Sequence, residues 1–174
     1  MKKEPVRNIC DSTGGINSVY PCYEYLTFGP WIYMVPQYIP ESVLILGYAG
    51  GTTAGLIKLF YGDIPITAVD IEFVEDNYNV NFILQDANEF VKTCDFFDCI
   101  IVDIYADDIE PPSFVFSKEF VSNVEKKCNY LILDATENSD ISAYSHLNKV
   151  KTLSLNRNRF HYFMINRIQT LPIR

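Results

Sequence analysis

Acidic side chains and a glycine-rich turn stand where four predicted strands end. Asp70, Asp86 and Asp103 each close an apolar segment, and the turn occupies residues 47–51. An acid about twenty residues after a glycine turn is placed to accept hydrogen bonds from a ribose diol. Asp86 would then reach an adenine amino group, and Asp103 would face the reacting end of the same ligand. One aspartate alone is weak evidence, since aspartate also caps turns and helices, but the ordered set indicates a nucleotide-binding edge.

The glycine turn joins an apolar strand to a helix within the segment 41–55, ESVLILGYAGGTTAG. The continuous apolar run at 43–46 is typical of a strand buried on both faces of a parallel sheet. Gly47, Gly50 and Gly51 let the backbone approach a ligand, and the N–H groups of the first helical turn favour a negative group. The alternative is a plain strand–helix turn that needs glycine only for its geometry.

Strand and helix patterns alternate along the rest of the chain. The predicted strands cover residues 43–46, 64–71, 81–84, 97–104, 129–133, 150–155 and 159–168. Helices are predicted at 52–62, 88–93, 117–128 and in a polar stretch reaching residue 149. The short turn at 156–158 predicts an antiparallel hairpin. This order predicts an α/β fold with a doubly wound, mostly parallel sheet that binds its ligand at the carboxyl ends of the strands.

The first 40 residues are predicted to form a region separate from the ligand-binding domain at 41–174. Residues 1–20 are polar and suggest a loose arm. The segment 20–38 is rich in aromatic residues and prolines. It is expected to pack against the sheet edge, or alternatively to line a small-molecule pocket. The same apolar surface would also suit burial in a homodimer.

Composition and charge exclude several classes of protein. The chain has 174 residues, of which 48% are hydrophobic, which suits one globular domain. A net charge of −8 argues against a nucleic-acid partner, because proteins that bind nucleic acids usually present a basic stripe on their surface. The five cysteines form no C-x-x-C pair, so neither a disulfide framework nor a metal site is indicated. No signal segment or bilayer-spanning run is visible, so we expect a soluble, cytoplasmic protein.

The two histidines are interpreted as structural residues. His146 falls in the predicted surface helix and His161 in a predicted strand. Neither has a cysteine or serine partner nearby in the sequence, so nothing indicates a nucleophile–base pair.

Four segments resemble, in order, the motifs of class I S-adenosylmethionine (SAM)-dependent methyltransferases, and more narrowly those of the spermidine synthase-like branch. They are VLILGYAGGTTAG, ITAVDIE, ILQDANEFV and FDCIIVDIYADD. The stretch PPSFVFSKEFVSNV is also similar to the segment after the fourth strand in that branch. The resemblance covers roughly residues 41–135. It implies a Rossmann-like, seven-stranded methyltransferase sheet with a terminal antiparallel hairpin.

The same resemblance implies a binding site for S-adenosyl-L-methionine, with S-adenosyl-L-homocysteine (SAH) as the product and no metal. It assigns the methionine part to the glycine turn, the ribose to the end of the second strand and the adenine to the end of the third. The implied cofactor-binding residues are Gly47, Tyr48, Ala49, Gly50, Gly51, Asp70, Ile71, Asp86, Ala87 and Asp103.

Three residues after the fourth strand are candidates for catalysis. Asp103 or Asp107 is the candidate base, and Tyr105 is a candidate for positioning the acceptor, which we expect to be a small molecule. The alternative is that the two acids cap a loop and that the tyrosine is a packed aromatic residue.

The chain departs from the spermidine synthase pattern in ways that bear on the reaction. Aminopropyltransferases usually carry an aspartate in the glycine turn, which suits decarboxylated SAM and would repel the carboxylate of SAM. The matching position here is Gly50. Asp103 and Asp107 are one residue further apart than in the D-x-x-D pattern of that branch. These departures favour methyl transfer over aminopropyl transfer.

Two further departures leave a third possibility open. Only about 40 residues precede the first strand, and the helix between the second and third strands is nearly missing. A shortened relative of these enzymes could serve as a non-catalytic interaction protein, so the alternatives to methyl transfer are aminopropyl transfer and binding alone.

Overall fold

One large sheet organises the computed structural model of the chain, which describes residues 7–10, 16–20, 29–73, 78–105 and 110–165. The strands are β1 (Arg7–Cys10), β2 (Ile16–Tyr20), β3 (Val43–Leu46), β4 (Ile66–Asp70), β5 (Asn81–Leu84), β6 (Phe97–Val102), β7 (Cys128–Thr136), β8 (Asn148–Leu155) and β9 (Asn158–Met164). The α-helices are α1 (Thr52–Tyr61), α2 (Ala87–Thr93) and α3 (Lys118–Glu125). Short 3₁₀ helices lie at Pro30–Met34, Ser113–Phe116 and Ser142–Tyr144.

Among the described residues, seven strands form the sheet in the order β5-β4-β3-β6-β7-β9-β8. Neighbours from β5 to β7 are parallel, whereas β9 runs antiparallel to both β7 and β8. The predicted doubly wound, mostly parallel sheet with a terminal antiparallel hairpin is therefore confirmed. The carboxyl ends of β3, β4, β6 and β7 meet at one edge, and the antiparallel β9 begins at that same edge.

Alternating residues of the strands build a separate core on each face of the sheet. On one face, Val43, Ile45 and Ile101 pack with residues of α1 and with Trp31 and Met34 of the first 3₁₀ helix. The opposite core contains side chains of α2 and α3. Its buried strand residues are Leu44, Leu46, Val69, Phe97, Ile100, Val102, Cys128, Leu131, Leu133, Ala135 and Phe163. None of the helices in the described parts of the chain has the length and apolarity that crossing a bilayer requires.

The N-terminal region differs from the expected loose arm. β1 and β2 pair as an antiparallel two-stranded sheet, with Ile9 opposite Ser18. The 3₁₀ helix at Pro30–Met34 packs onto a face of the large sheet, where Trp31 and Met34 are buried, and not against its edge. Burying these large apolar side chains stabilises the fold in the way that a further helix would.

The prediction of a helix in the polar stretch that reaches residue 149 is also wrong. That stretch contains the 3₁₀ helix Ser142–Tyr144 and turns. Asp140 accepts a hydrogen bond from the Ser142 backbone N–H at 2.9 Å, a local bond that favours a turn over a helix. His146 follows this turn, and its Nε2 lies 2.6 Å from Glu125 of α3.

Most other element boundaries lie within two residues of the predictions. Besides the end of β7, two differ more: α3 ends at Glu125 instead of residue 128, and β9 ends at Met164, with residues 166–168 of the predicted strand outside the described residues. Ser117 caps α3 by accepting from the Phe120 N–H at 3.1 Å, and Gly62 ends α1. β7 continues to Thr136 instead of ending at residue 133. Pairing with β9 extends it, because Thr136 lies opposite Asn158. The hairpin turn itself was predicted, but its register was not.

Gly47 directly follows β3 and lies beside the backbone of Asp103, which directly follows β6. Its φ of +87° lies in the left-handed region. A Cβ atom at this position would lie 2.0 Å from the backbone oxygen of Asp103. Only glycine satisfies both conditions, so the turn needs Gly47 for its geometry whether or not a ligand binds.

Substitution at Gly47 tests this close approach against a matched glycine. Gly62 also has a positive φ of +81°, but nothing lies within 4 Å of its missing Cβ. Gly62→Ala should therefore cost only backbone strain, about 1–3 kcal/mol. Gly47→Ala should destabilise the fold by more than that, because the methyl group also meets backbone atoms. Denaturant unfolding of both variants measures the difference, and an equal or smaller loss for Gly47→Ala would contradict the proposed clash.

Candidate active site

Four neighbouring strands bring chemically useful residues into one row at the carboxyl edge. Leu46 of β3 is in register with Val69 of β4 and Val102 of β6, and Val102 is in register with Leu133 of β7. The next residue on each strand is therefore adjacent across the sheet. This row reads Asp70, Gly47, Asp103, Asp134, and all four share the face that α1 covers.

Asp70 shapes the glycine turn directly. Its Oδ2 accepts hydrogen bonds from the backbone N–H groups of Tyr48, at 2.8 Å, and Ala49, at 2.9 Å. Its Oδ1 accepts from the Glu72 N–H at 3.1 Å. These charge-assisted bonds help to hold Ala49 at a φ of +45°, which non-glycine residues rarely adopt. Asp70 thus has a structural role in the turn that the strand-end pattern alone did not indicate.

The Tyr48 side chain folds back over the turn that it belongs to. A Cβ on Gly51 would lie 2.3 Å from the Tyr48 hydroxyl, and Gly51 has a φ of +76°. The Tyr48 ring is buried and lies 5.7 Å from the ring of Phe82 on β5. Tyr48 therefore packs inside the fold and contributes its backbone, but not an open aromatic face, to the edge.

The N-terminal strands also reach the turn. The Ser18 hydroxyl of β2 accepts a hydrogen bond from the Gly50 N–H at 2.9 Å, and Ser18 is only 1% exposed. Thr53, in the first turn of α1, is buried as well, and no hydrogen-bond partner is found for its hydroxyl among the described residues. A buried hydroxyl without a hydrogen-bond partner is costly.

Asp86 and Ala87, two of the predicted cofactor-binding residues, lie just after β5. Asp86 caps α2, since its Oδ1 accepts from the Asn88 N–H at 2.7 Å, and Ala87 is buried below it. Exposed apolar side chains lie between Asp70 and Asp86: Ile71 is 71% exposed, and Leu84, in register with Asp70, is 57% exposed. An apolar surface flanked by two acids suits a flat, partly polar ligand such as a base.

Burial changes the ionisation of the two acids on β6 and β7. Burial, with the nearby Asp134 and Asp70 carboxylates, raises the pKa of Asp103 well above its usual value. Burial likewise raises the pKa of Asp134 to about 7, although hydrogen bonds and the charge of Arg157 oppose the rise. Because the negative charge of Asp134 disfavours ionisation of Asp103, the two ionisations are coupled.

Asp134 belongs to a hydrogen-bonded group of three that the sequence prediction missed. The Asn158 Nδ2 group donates hydrogen bonds to Asp134 Oδ1 at 3.1 Å and Oδ2 at 2.9 Å. It also donates to the Tyr105 hydroxyl at 3.3 Å. Tyr105 in turn hydrogen-bonds the Asp134 carboxylate. Asp134 directly follows an apolar strand, the same signal that singled out Asp103. Asn158 carries no such signal.

The structure brings most of the predicted residues to one edge. The glycine turn, Asp70, Asp103 and Tyr105 lie on or next to the carboxylate row, and Asp86 with Ala87 lies at the end of the neighbouring β5. Asp107 falls in residues 106–109, outside the described residues. The ligand contacts assigned to these residues remain predictions.

Solved structures with this fold include SAM-dependent methyltransferases. Human methyltransferase-like protein 13 in complex with SAH matches 81% of this chain and 81% of its own, with 14% identity and a TM-score of 0.63. N-methyltransferase NodS from Bradyrhizobium japonicum, also with SAH, matches 83% of this chain and 91% of its own, at 13% identity and a TM-score of 0.56.

A polyamine-type enzyme is also among the structural matches. A probable spermidine synthase from Corynebacterium glutamicum matches 73% of this chain but 57% of its own, at 14% identity and a TM-score of 0.57. No protein-family model and no curated protein sequence matches the chain. At these identities the likeness concerns the fold, and it shows that the chain has the Rossmann-like fold of class I SAM-dependent methyltransferases.

The raised pKa of Asp134 predicts how stability depends on pH. The folded protein holds this proton up to about pH 7, whereas the unfolded chain releases it near 3.8. Stability should therefore fall as pH rises between these values, by at most about 1.4 kcal/mol per unit for this group. Asp134→Asn removes the charge and keeps an acceptor for Asn158, so it should flatten the decline.

Urea unfolding at several pH values between about 5 and 8 tests this linkage. Asp140→Asn is the control, because hydrogen bonds from Ser142 lower the pKa of the exposed Asp140, which stays ionised throughout this range. The control should follow the wild-type profile. An Asp134→Asn profile that also runs parallel to the wild type would contradict the buried ionisation.

Proposed function

We propose that the chain is a SAM-dependent methyltransferase acting on a small-molecule acceptor that is not yet identified. The observation that carries this proposal is the row formed by Asp70, Gly47, Asp103 and Asp134 at the carboxyl edge of a methyltransferase-type sheet. Ligands of open α/β sheets bind at this edge, where the strand order reverses. The reversal occurs here between β3 and β6, on either side of which Gly47 and Asp103 lie.

The residues present fit S-adenosylmethionine. The described N–H groups use three of the roughly four acceptor positions of the Asp70 carboxylate, which leaves one for a ribose hydroxyl. The exposed apolar surface at Ile71 and Leu84 suits adenine, with Asp86 beside it.

When bound, S-adenosylmethionine would supply an electrophilic methyl group on a sulfonium. The chain's own contribution would be to hold an acceptor in line with that group and to take up a proton where the acceptor must lose one. Asp103 is the candidate base, because the raised pKa of its carboxylate makes the ionised form a stronger base. Tyr105, two residues on, is the candidate for orienting the acceptor.

Aminopropyl transfer remains the second candidate because the fold also matches a probable spermidine synthase. The buried acids on β6 and β7 would suit a cationic amine. Against it, position 50 is a glycine, whose N–H is already bonded to Ser18. The preference for SAM or decarboxylated SAM separates the two reactions, and failure to bind either would favour a non-catalytic role. The cytoplasmic location and a homodimer remain predictions.

Calorimetric titration with SAM, SAH and decarboxylated SAM tests the proposed function. We expect wild-type protein to bind SAM and SAH more tightly than decarboxylated SAM. Asp70→Ala should weaken SAM and SAH binding at least tenfold, about 1.4 kcal/mol, because the ribose acceptor and the anchor of the glycine turn are both lost. Asp63→Ala is the control, since the Asp63 side chain is 90% exposed and pairs with Lys58 instead.

Three results would change the conclusion. A preference for decarboxylated SAM would favour aminopropyl transfer. Binding of none of the three ligands would overturn the enzyme assignment. Wild-type affinity in Asp70→Ala would remove the role of Asp70 in ligand binding.

A further inference from the structure

The last strand of the sheet contributes a side chain to the candidate active site. Asn158 is the first residue of β9 and lies opposite Thr136, at the end of β7. Its Nδ2 donates to both oxygens of Asp134 and to the Tyr105 hydroxyl. Three segments far apart in sequence are thus tied together beside Asp103.

The three partners have matching hydrogen-bonding capacities. The Asp134 carboxylate is 2% exposed, and a carboxylate so deeply buried must accept hydrogen bonds or lose its charge. Asn158 provides a neutral donor, and the Tyr105 hydroxyl accepts from Asn158 while hydrogen-bonding Asp134. A hydroxyl that both donates and accepts is fixed in orientation as well as in position.

We propose that Asn158 and Asp134 are positioning residues, which hold the Tyr105 hydroxyl and so fix the acceptor side of the pocket next to Asp103. This inference rests on the proposed function, because it assigns roles around the same site. Tyr105 is only two residues after Asp103, so anchoring its ring also restrains the backbone that carries the candidate base. The β8–β9 hairpin then completes the active site as well as the sheet.

A purely structural role would not require this arrangement. Asp134, Asn158 and Tyr105 together could be replaced by apolar residues of similar volume at little cost or with a gain in stability, since buried ionisable groups are expensive. The neighbouring strand residues Leu133 and Ala135 are apolar and fully buried. Keeping an acid, an amide and a phenol together at a ligand-binding edge is therefore more consistent with a role towards the ligand.

Charged and titratable residues on several elements act on the Asp134 carboxylate. Asp103 faces it from the end of β6, and Asp70 lies beyond Gly47 at the end of β4. Arg157 acts from the β8–β9 turn, and Tyr162 lies within electrostatic range on β9. A positively charged ligand near Asp103 should favour the ionised form of the pair, whereas a neutral ligand should not.

The dissociation constant of SAH divided by that of SAM isolates the effect of the ligand's positive charge. The two ligands differ by one methyl group and the positive charge on sulfur, so contributions from their shared parts cancel. In wild-type protein the ratio should rise at least threefold between about pH 6 and 8, as Asp134 ionises. Asn158→Ala removes two hydrogen bonds that stabilise the Asp134 carboxylate, and Tyr105→Phe removes one. Each should move this rise upward by about half a pH unit or more.

The matched control is Asn148→Ala, on the same hairpin but opposite Met164 at the far edge of the sheet. It should keep the wild-type profile. Because Asn158 and Tyr105 act on one carboxylate, the double variant should shift the profile by less than the sum of the single shifts. Tyr105→Phe deletes one oxygen atom and serves as the test if Asn158→Ala does not fold.

The outcomes separate the two proposals. If wild-type protein binds no adenosyl ligand, the proposed function fails and this inference fails with it. If wild-type protein binds both ligands and the two variants weaken them equally at every pH, the proposed function stands. The three residues would then be structural, and this inference would be overturned.

Discussion

The close approach of β3 and β6 at Gly47 is the constraint on which the candidate site depends. The Asp103 N–H donates to the Leu46 oxygen at 2.8 Å, and the Gly47 N–H donates to the Val69 oxygen at 2.9 Å. These two bonds extend the pairing of β3 with β6 and with β4 by one residue beyond the ends of the strands. Since no side chain occupies that position, the ends of three strands lie in contact, and the acids of β4 and β6 flank a bare backbone.

The proximity of the Asp103 and Asp134 carboxylates has an electrostatic cost, which the surrounding residues partly offset. Asp103 and Asp134 are drawn together on adjacent strands, where burial and mutual repulsion both disfavour their charges. Asn158, Tyr105 and Arg157 act in the opposite direction on Asp134. Natural proteins tolerate such local conflict mainly at functional sites, where the unfavourable charge is useful towards a ligand. By contrast, the adjoining residues 43–46 of β3 and 99–102 of β6 are apolar and buried.

The sequence predicts those features that depend on local patterns. Continuous apolar runs located β3 and β6, the glycines located the turn, and the helical pattern at 117–128 located α3. The residues that close the site depend on strand pairing instead. Asn158 became part of it only through the register of β9 on β7, which no short pattern encodes. Ser18 likewise reached Gly50 through tertiary packing across 32 positions.

The two outer strands of the sheet are poorly suited to recruiting a further strand from another molecule. β5 is only four residues long. β8 is longer, but its pairing with β9 is interrupted by an irregularity between Lys149 and Lys151, and Lys149 is exposed. Short strands, bulges and lysines at an edge are the features by which natural proteins avoid edge-to-edge aggregation. An aromatic-rich chain with a two-sided apolar sheet therefore has built-in protection against uncontrolled sheet extension.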